Sequence, residues 1–340
     1  MMWYYRATIA FALAGVPCAA QAQGVGEFYR DKTLSMVAGT TPGNDYDFRA
    51  RIVAKYISKH IPGNPVVIAR NMPGGGGIVA ANWLMKIAPR DGTALLTMMQ
   101  ALTVSQAVGV ANIQYDVREF NWIGNTIDSP NVVNTWHTSD VRSVEDATQR
   151  EVILGATAGS YAVVYPPVMN ALLGTKFKIV TGYPGGNEVN LAMERGEVQG
   201  RGANSWASWK STKPDWVADK KIIVLTQVAL KRDPDLQDIP LLMELGKTEF
   251  DRKVLRFLSA DTAISRAIVT TPGVPPERVS TLRRAFDATM KDPEFLAEAA
   301  KTKMDIAAST GEDSQAVATS LVNTEKEVVM RAKELMDATR

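Results

Sequence analysis

"VAGTTPGNDYDFRARIVAKYI", residues 37–57, closes a short apolar run in small residues and then opens a helical pattern. Gly39, Thr40, Thr41, Pro42 and Gly43 put little side chain at the point where the chain turns. Over residues 46–60, Phe48, Ile52, Val53, Tyr56 and Ile57 line one face, while Arg49, Arg51, Lys55 and Lys59 fall largely elsewhere. That is the pattern of a helix packed on a core. A strand, a bare turn and a helix make the unit of a layered α/β fold, and the bare turn is where a ligand finds room.

The same unit recurs on both sides. Residues 34–38, 65–69 and 93–98 read as buried strands, with helices over 46–60 and 77–87 between them. A second series has strands at 152–157, 178–181, 198–201 and 222–227, with helices at 160–173 and 187–195. Helices at 276–291 and 293–302 and one long helix over 313–337 complete the chain; Pro276 and Pro293 suit a first helical turn. Two such series predict two α/β lobes, each on a mostly parallel sheet.

The 340 residues are 46% hydrophobic and 22% charged, an ordinary globular composition. Net charge is +2, with no basic stripe, so charge gives no reason to expect nucleic acid. Residues 1–22 read as a secretory leader: Arg6, the apolar run 7–16, and Ala20-Gln21-Ala22 as the cleavage site. Removing it leaves +1 and takes away Cys18, the chain's one cysteine, so disulfides and thiol chemistry are not expected in the mature protein. Pro17 does not suit a lipoprotein site at Cys18. No later stretch is long enough to cross a bilayer.

Two more turns repeat the design of the first. "GATAGSYA", 155–162, offers Thr157, Ala158, Gly159 and Ser160; "GYPGGNE", 182–188, offers Tyr183, Gly185 and Asn187. Helix N-termini carry unpaired N–H groups and the positive end of the helix dipole, so such turns attract anions. Two readings stay open at each: ligand contact, or a plain cap by Asp45, Ser160 or Asn187. In "NSWASWKSTKPDW", 204–216, Trp206 and Trp209 share a helix face; Trp206 either packs in the core or walls a cleft behind Asn204. Gly75, Gly77 and Ala80 have dinucleotide-like spacing, but the following strand ends in Met98, Met99 and Gln100 without the acid a ribose needs. The two histidines, His60 and His137, form no metal-ligand pair, and His60 suits a helix end. No nucleophile elbow or P-loop is present. No catalytic residue, cofactor or metal is expected.

Five ordered blocks carry a wider resemblance: "TTPGNDYDFRARIVA", "ARNMPGGGGIVAANWLMKIAPRDGTALL", "YDVREFNWIGNTIDSPNVV", "RDPDLQDIPLLMELG" and "GVPPERVSTLRRAFDATMKDPEFLAEAA". With the leader, they make the chain similar to the extracytoplasmic solute receptors of the tripartite tricarboxylate transporter system, the Bug family. The resemblance implies a type II, flytrap-like periplasmic binding protein with a ligand cleft between two lobes. Lobe one would be 23–127 with 260–340, lobe two 128–259, and the crossings would lie near 125–129 and 257–262. It implies a small carboxylate held by backbone amides, a monomeric receptor, and membrane permease subunits as partners. Pro42, Gly43 and Asp47 match one family element; Thr157, Ala158, Gly159 and Ser160 match another. Gly39-Thr40 replaces the usual Pro-Phe, 183–188 lacks the usual lysine, and 88–92 carries an insertion.

On this reading Thr40, Thr41, Thr157 and Ser160 meet an anion, Asn187 and Asn204 orient it, and Trp206 walls it. Arg266 is either a direct carboxylate partner or a surface charge. The rival functions are a ligand-sensing adaptor for a membrane sensor kinase and a periplasmic hydrolase on the same scaffold.

Overall fold

The computed structural model describes residues 19–157 and 160–338. The expected leader lies outside them over residues 1–18, as do Ala158 and Gly159 of the second turn.

The first half runs α1 (Ala19–Tyr29), β1 (Thr33–Ala38), α2 (Asp45–Ile57), β2 (Val66–Asn71), α3 (Ile78–Lys86), β3 (Ala94–Thr97), α4 (Leu102–Ala107) and β4 (Asn121–Asn125). The middle runs β5 (Asn131–Trp136), α5 (Val144–Gln149), β6 (Glu151–Thr157), α6 (Tyr165–Leu173), β7 (Lys176–Tyr183), α7 (Gly186–Glu194), β8 (Gly200–Ser205), α8 (Trp206–Thr212), α9 (Pro214–Ala218) and β9 (Ile222–Val228). The last part runs α10 (Glu249–Ser259), β10 (Ala267–Thr270), α11 (Pro276–Thr289), α12 (Pro293–Lys301), β11 (Ser309–Thr310), α13 (Gly311–Val322) and α14 (Lys326–Asp337).

Among the described residues the strands form two sheets, ordered β11-β4-β10-β3-β1-β2 and β7-β6-β8-β5-β9. Apart from the short edge strand β11, the two orders are the same. In each, two parallel strands flank the first strand of the series, and a strand that arrives from the other sheet is inserted antiparallel. The sheets are therefore mixed rather than mostly parallel. The βαβ rhythm predicts only the sequential strands; β5 and β10 enter from the opposite sheet and run the other way. Because β10 is antiparallel to β3 and β4, and β5 to β8 and β9, the remaining long strands of each sheet share one direction.

The core follows strand alternation. Leu34, Met36 and Ala38 of β1 face α2, α11 and α12, while Val37 faces the opposite side with Ala80 and Leu84 of α3. Strands buried on both faces must be apolar at nearly every position, as β3 is. One apolar cluster continues from α3 and β3 through α6, α10 and α14, joining the two sheets' helices along one side of the molecule. A tryptophan cluster of Trp136, Trp206, Trp209 and Trp216 covers the other side of the second sheet.

Several expectations change. The single helix over 313–337 is two, α13 and α14, interrupted at residues 323–325. They pack on different partners: α13 on β4 and α4, α14 on α10 and α6. The helix expected from Ser160 is a 3-10 turn, Tyr161–Val163, followed by α6, whose first turn holds Pro166 and Pro167. Proline has no N–H to continue a helix from the preceding turn. His60 does not finish the helix by meeting its carbonyls; its Nε2 lies 2.8 Å from Asp292 Oδ2.

Candidate functional site

The carboxyl ends of β1 and β2 and those of β6, β7 and β8 carry the turns singled out in the sequence. After β1, the cap of α2 is Asn44 and not Asp45: Asn44 Oδ1 accepts from Tyr46 N at 3.0 Å and from Asp47 N at 3.1 Å. The Asn44 amide donates to Thr40 Oγ1 and, at 3.2 Å, to the Thr41 carbonyl. Asp47 is buried and accepts from Gly43 N at 2.9 Å, Asn71 Nδ2 at 2.9 Å and Arg51 Nε at 3.1 Å. Burial opposes its charge, but these donors hold its carboxyl below the usual range. Asp47 thus fixes the turn from beneath, while Thr41 and Gly43 are exposed at its rim.

Next to this turn lies the glycine run. Gly74, Gly75, Gly76 and Gly77 all have positive φ, and a Cβ on Gly77 would stand 2.5 Å from Met99 Cγ. Only glycine fits that combination of left-handed backbone and close approach. The run closes the N-terminus of α3 against the turn after β3.

In the second sheet, Ser160 does cap: its Oγ accepts from Ala162 N at 3.3 Å and donates to the Thr157 carbonyl at 2.7 Å. Asn187 does not; Gly185 is the cap residue of α7, and Asn187 is exposed in the first turn. Tyr183 and Asn204 are half-buried at the ends of β7 and β8. Trp206 is buried in the tryptophan cluster, with Nε1 donating to Asp235 Oδ2 at 3.2 Å.

Arg266 is not a surface charge. It is buried, and its Nε donates to Asp45 Oδ2 at 2.5 Å, with Nη1 donating to the Tyr46 hydroxyl at 3.1 Å. Asp45 also accepts from Arg49 Nε at 3.0 Å. Burial pushes the Asp45 carboxyl up, but the two guanidinium groups outweigh it and hold it below the usual range. From Tyr46 the network continues: its hydroxyl accepts from Gln100 N at 3.1 Å, and Gln100 Nε2 donates to Asp261 Oδ1 at 3.0 Å. The Tyr161 hydroxyl, in the turn after β6, donates to the other Asp261 oxygen. Burial raises the Asp261 carboxyl to about 7 in spite of these donors. Asp261 therefore ties the turn after β3 to the turn after β6. Tyr46, Gln100, Tyr161 and Asp261 were not singled out in the sequence, which has no motif joining positions so far apart.

The largest cavity described, about 650 Å³, lies beside the segments that pass between the sheets, walled by Ser129 and Thr262 and by the turns after β9 and before β11. None of the residues expected to meet the ligand lines it. Lys210 of α8 sits at its edge with Nζ 2.9 Å from Asp235 and 2.7 Å from Asp305, an ion pair reaching from the second sheet's side to the first's. A second cavity, about 290 Å³, opens between Gly75 and Gly76 on one side and Ser160 and Tyr161 on the other. Of the residues expected to meet the ligand, Ser160 lines it. Among the described residues no cluster of His, Cys, Asp and Glu fits a metal ion, and no helix is long and apolar enough to cross a membrane.

The fold is that of known solute-binding proteins. A TctC solute binding protein from Polaromonas superposes with a TM-score of 0.65 at 19% identity, covering 91% of this chain and 99% of that one. MatC from Rhodopseudomonas palustris, solved with bound malate, gives 0.60 at 18% identity, covering 90% and 99%. An R. palustris protein solved with adipate gives 0.65 at 20% identity, covering 88% and 97%. In sequence, the chain is 26% identical over 337 residues to the UPF0065 protein in the gbd 5' region of Cupriavidus necator, covering 95% of this chain and 93% of that protein. The model of the tripartite tricarboxylate transporter family receptor, TctC, matches residues 49–334. The two sheets of matching strand order are thus the type II fold of a periplasmic solute receptor, and the chain belongs to the TctC receptor family.

Proposed function

We propose that the protein captures a small organic acid in the periplasm and hands it to the membrane permease of a tripartite tricarboxylate-type transporter. It acts as a monomeric receptor, reaches the periplasm through the leader over residues 1–22, and performs no chemical step. The observation that carries this reading is that two sheets of like strand order bring small-residue turns together: Asp261 ties the turn after β3 to the turn after β6, and a cavity of about 290 Å³ opens between Gly75 and Gly76 on one side and Ser160 and Tyr161 on the other. Backbone N–H groups there favour an anion without fixed cations. Family membership and the malate- and adipate-bound relatives support the choice of a carboxylate.

The ligand rests between the turn at Thr40, Thr41 and Gly43 and the turns at Thr157–Ser160 and Tyr183–Asn187, with Asn204 beside them. The lobes, 23–127 with 260–340 and 128–259, close over it about the segments near 125–129 and 257–262. In this arrangement Asp47 and Arg266 act from behind the turn, since both are spent on internal partners.

Calorimetric titration of malate and adipate into wild-type protein and into Thr41→Trp and Ser160→Trp tests the reading. Both variants are expected to fold and to lose binding at least about tenfold, since each fills space at the mouth of the gap. Wild-type affinity in both variants would move the ligand elsewhere.

A further inference from the structure

The second sheet holds a cation that no carboxylate among the described residues pairs with. Arg201 lies on β8, half-buried between α7 and α8. Its Nη1 donates to Asn190 Oδ1 at 3.1 Å, and its guanidinium carbon stands 5.6 Å from the centre of the Trp209 ring. Among the described residues no carboxylate pairs with it, and Nε and Nη2 donate to no described residue. Glu188, in the first turn of α7, is exposed and forms no ion pair with it. The contrast with the first sheet is plain: Arg49 and Arg266 share Asp45. Burial alone lowers Arg201 to about 10. A partly desolvated charge with no counter-ion among the described residues costs stability, and one amide and one ring face offset it only in part.

The position of this charge gives it a use. Arg201 stands level with Gly155 of β6, and its side chain runs along the sheet toward the start of α7. A Cβ on Gly186 would come within 2.5 Å of Nη2, so the glycine leaves the guanidinium lying against the first turn of the helix. The first N–H groups of a helix have no internal partner. A guanidinium with two unspent donor groups and a helix start therefore meet just past the carboxyl end of β7, the end of the parallel strands that carries the turn at Ser160.

We propose that Arg201 is the ligand anchor of this lobe: a carboxylate of the bound solute takes its Nε–H and Nη2–H and supplies the missing counter-charge. The inference rests on the carboxylate reading above and adds to it a fixed cation, which the turns themselves lack. A planar guanidinium suits a carboxylate's paired oxygens, so the preferred solutes carry at least one ionised carboxyl and uncharged mimics of the same shape are rejected.

The test is calorimetric titration of adipate, malate and adipamide, the uncharged mimic of adipate, into wild type, Arg201→Met and Gly186→Ala. Thermal melting of each protein without ligand runs alongside. Wild type should bind at least one acid and prefer adipate over adipamide. Arg201→Met should lose about tenfold or more in acid affinity. Without ligand it should melt about 2 °C or more above wild type, because an unpaired charge has gone from a desolvated place. Gly186→Ala should displace the guanidinium and weaken acid binding at nearly unchanged melting temperature. If wild type binds an acid and Arg201→Met binds it equally, or if Arg201→Met melts below wild type, Arg201 is a packing residue and the inference is overturned. If wild type binds neither acid, the carboxylate reading fails first and the anchor falls with it.

Discussion

Asp45 shows how a residue's local and tertiary roles diverge. At a helix start beside Asn44, it reads as a cap or a partner for the helix dipole. In the fold it is the common counter-ion of Arg49 and Arg266, the second of them 221 positions away. Both guanidinium groups are buried, at 3% and 8% side-chain exposure, so neither can turn to water if the carboxylate is lost. Asp45→Ala should cost about 3–5 kcal/mol in urea unfolding, the range for removing one member of a buried charged group. A loss below about 1 kcal/mol would mean that water enters and takes Asp45's place. Nothing in the local sequence of Arg266 ("AISRAIV") tells a buried arginine from an exposed one; the distinction depends on which element folds over it.

At the scale of elements, periodicity located most strands and helices of the two series, because a buried face must repeat at the period of its backbone. It did less well at the ends. The turn after β1 was legible as a turn, but the cap is Asn44, one residue before the acid, and the choice lies in backbone geometry: Asn44 is extended and Asp45 is already helical. Asn44→Ala should lower stability by about 1 kcal/mol in chemical denaturation. It should also loosen Thr40 and Thr41, which the same side chain holds, and so weaken ligand binding. A variant with full binding and full stability would show that the turn does not need its cap. The break between α13 and α14 was not legible either. "VNTEKE" can continue a helix, and only the separate docking of the two halves, on β4 and on α10, sets the interruption.

At the scale of the whole molecule, Asp261 links the two sheets' turns through Gln100 and Tyr161. Its carboxyl titrates near 7 in the folded protein, above its ordinary 3.8, chiefly because it is buried. The unfolded chain gives up this proton as pH passes about 4, while the folded chain keeps it until about 7. This group's contribution therefore falls with rising pH, by about 1.4 kcal/mol per unit between those values, and is level above 7. Asp261→Asn keeps an acceptor for Gln100 and removes the titration. Comparing urea unfolding at pH 4.5 and pH 7.5, wild type should lose on the order of 3 kcal/mol more than the variant. Equal losses would show that the acid is ionised in the fold and that another charge compensates it.

The sequence by itself determined the layered α/β units, their division into two series, and the bare turns at the strand ends. These follow from local rules: side-chain period, proline and glycine geometry, and the need to cap helices. Only the tertiary structure decided which strands run antiparallel, which acid neutralises Arg266, which tyrosine reaches Asp261, and that no described carboxylate pairs with Arg201. Those outcomes depend on contacts between residues far apart in the chain, where burial turns an ordinary charge into a costly one and makes its partner, or the lack of one, decisive.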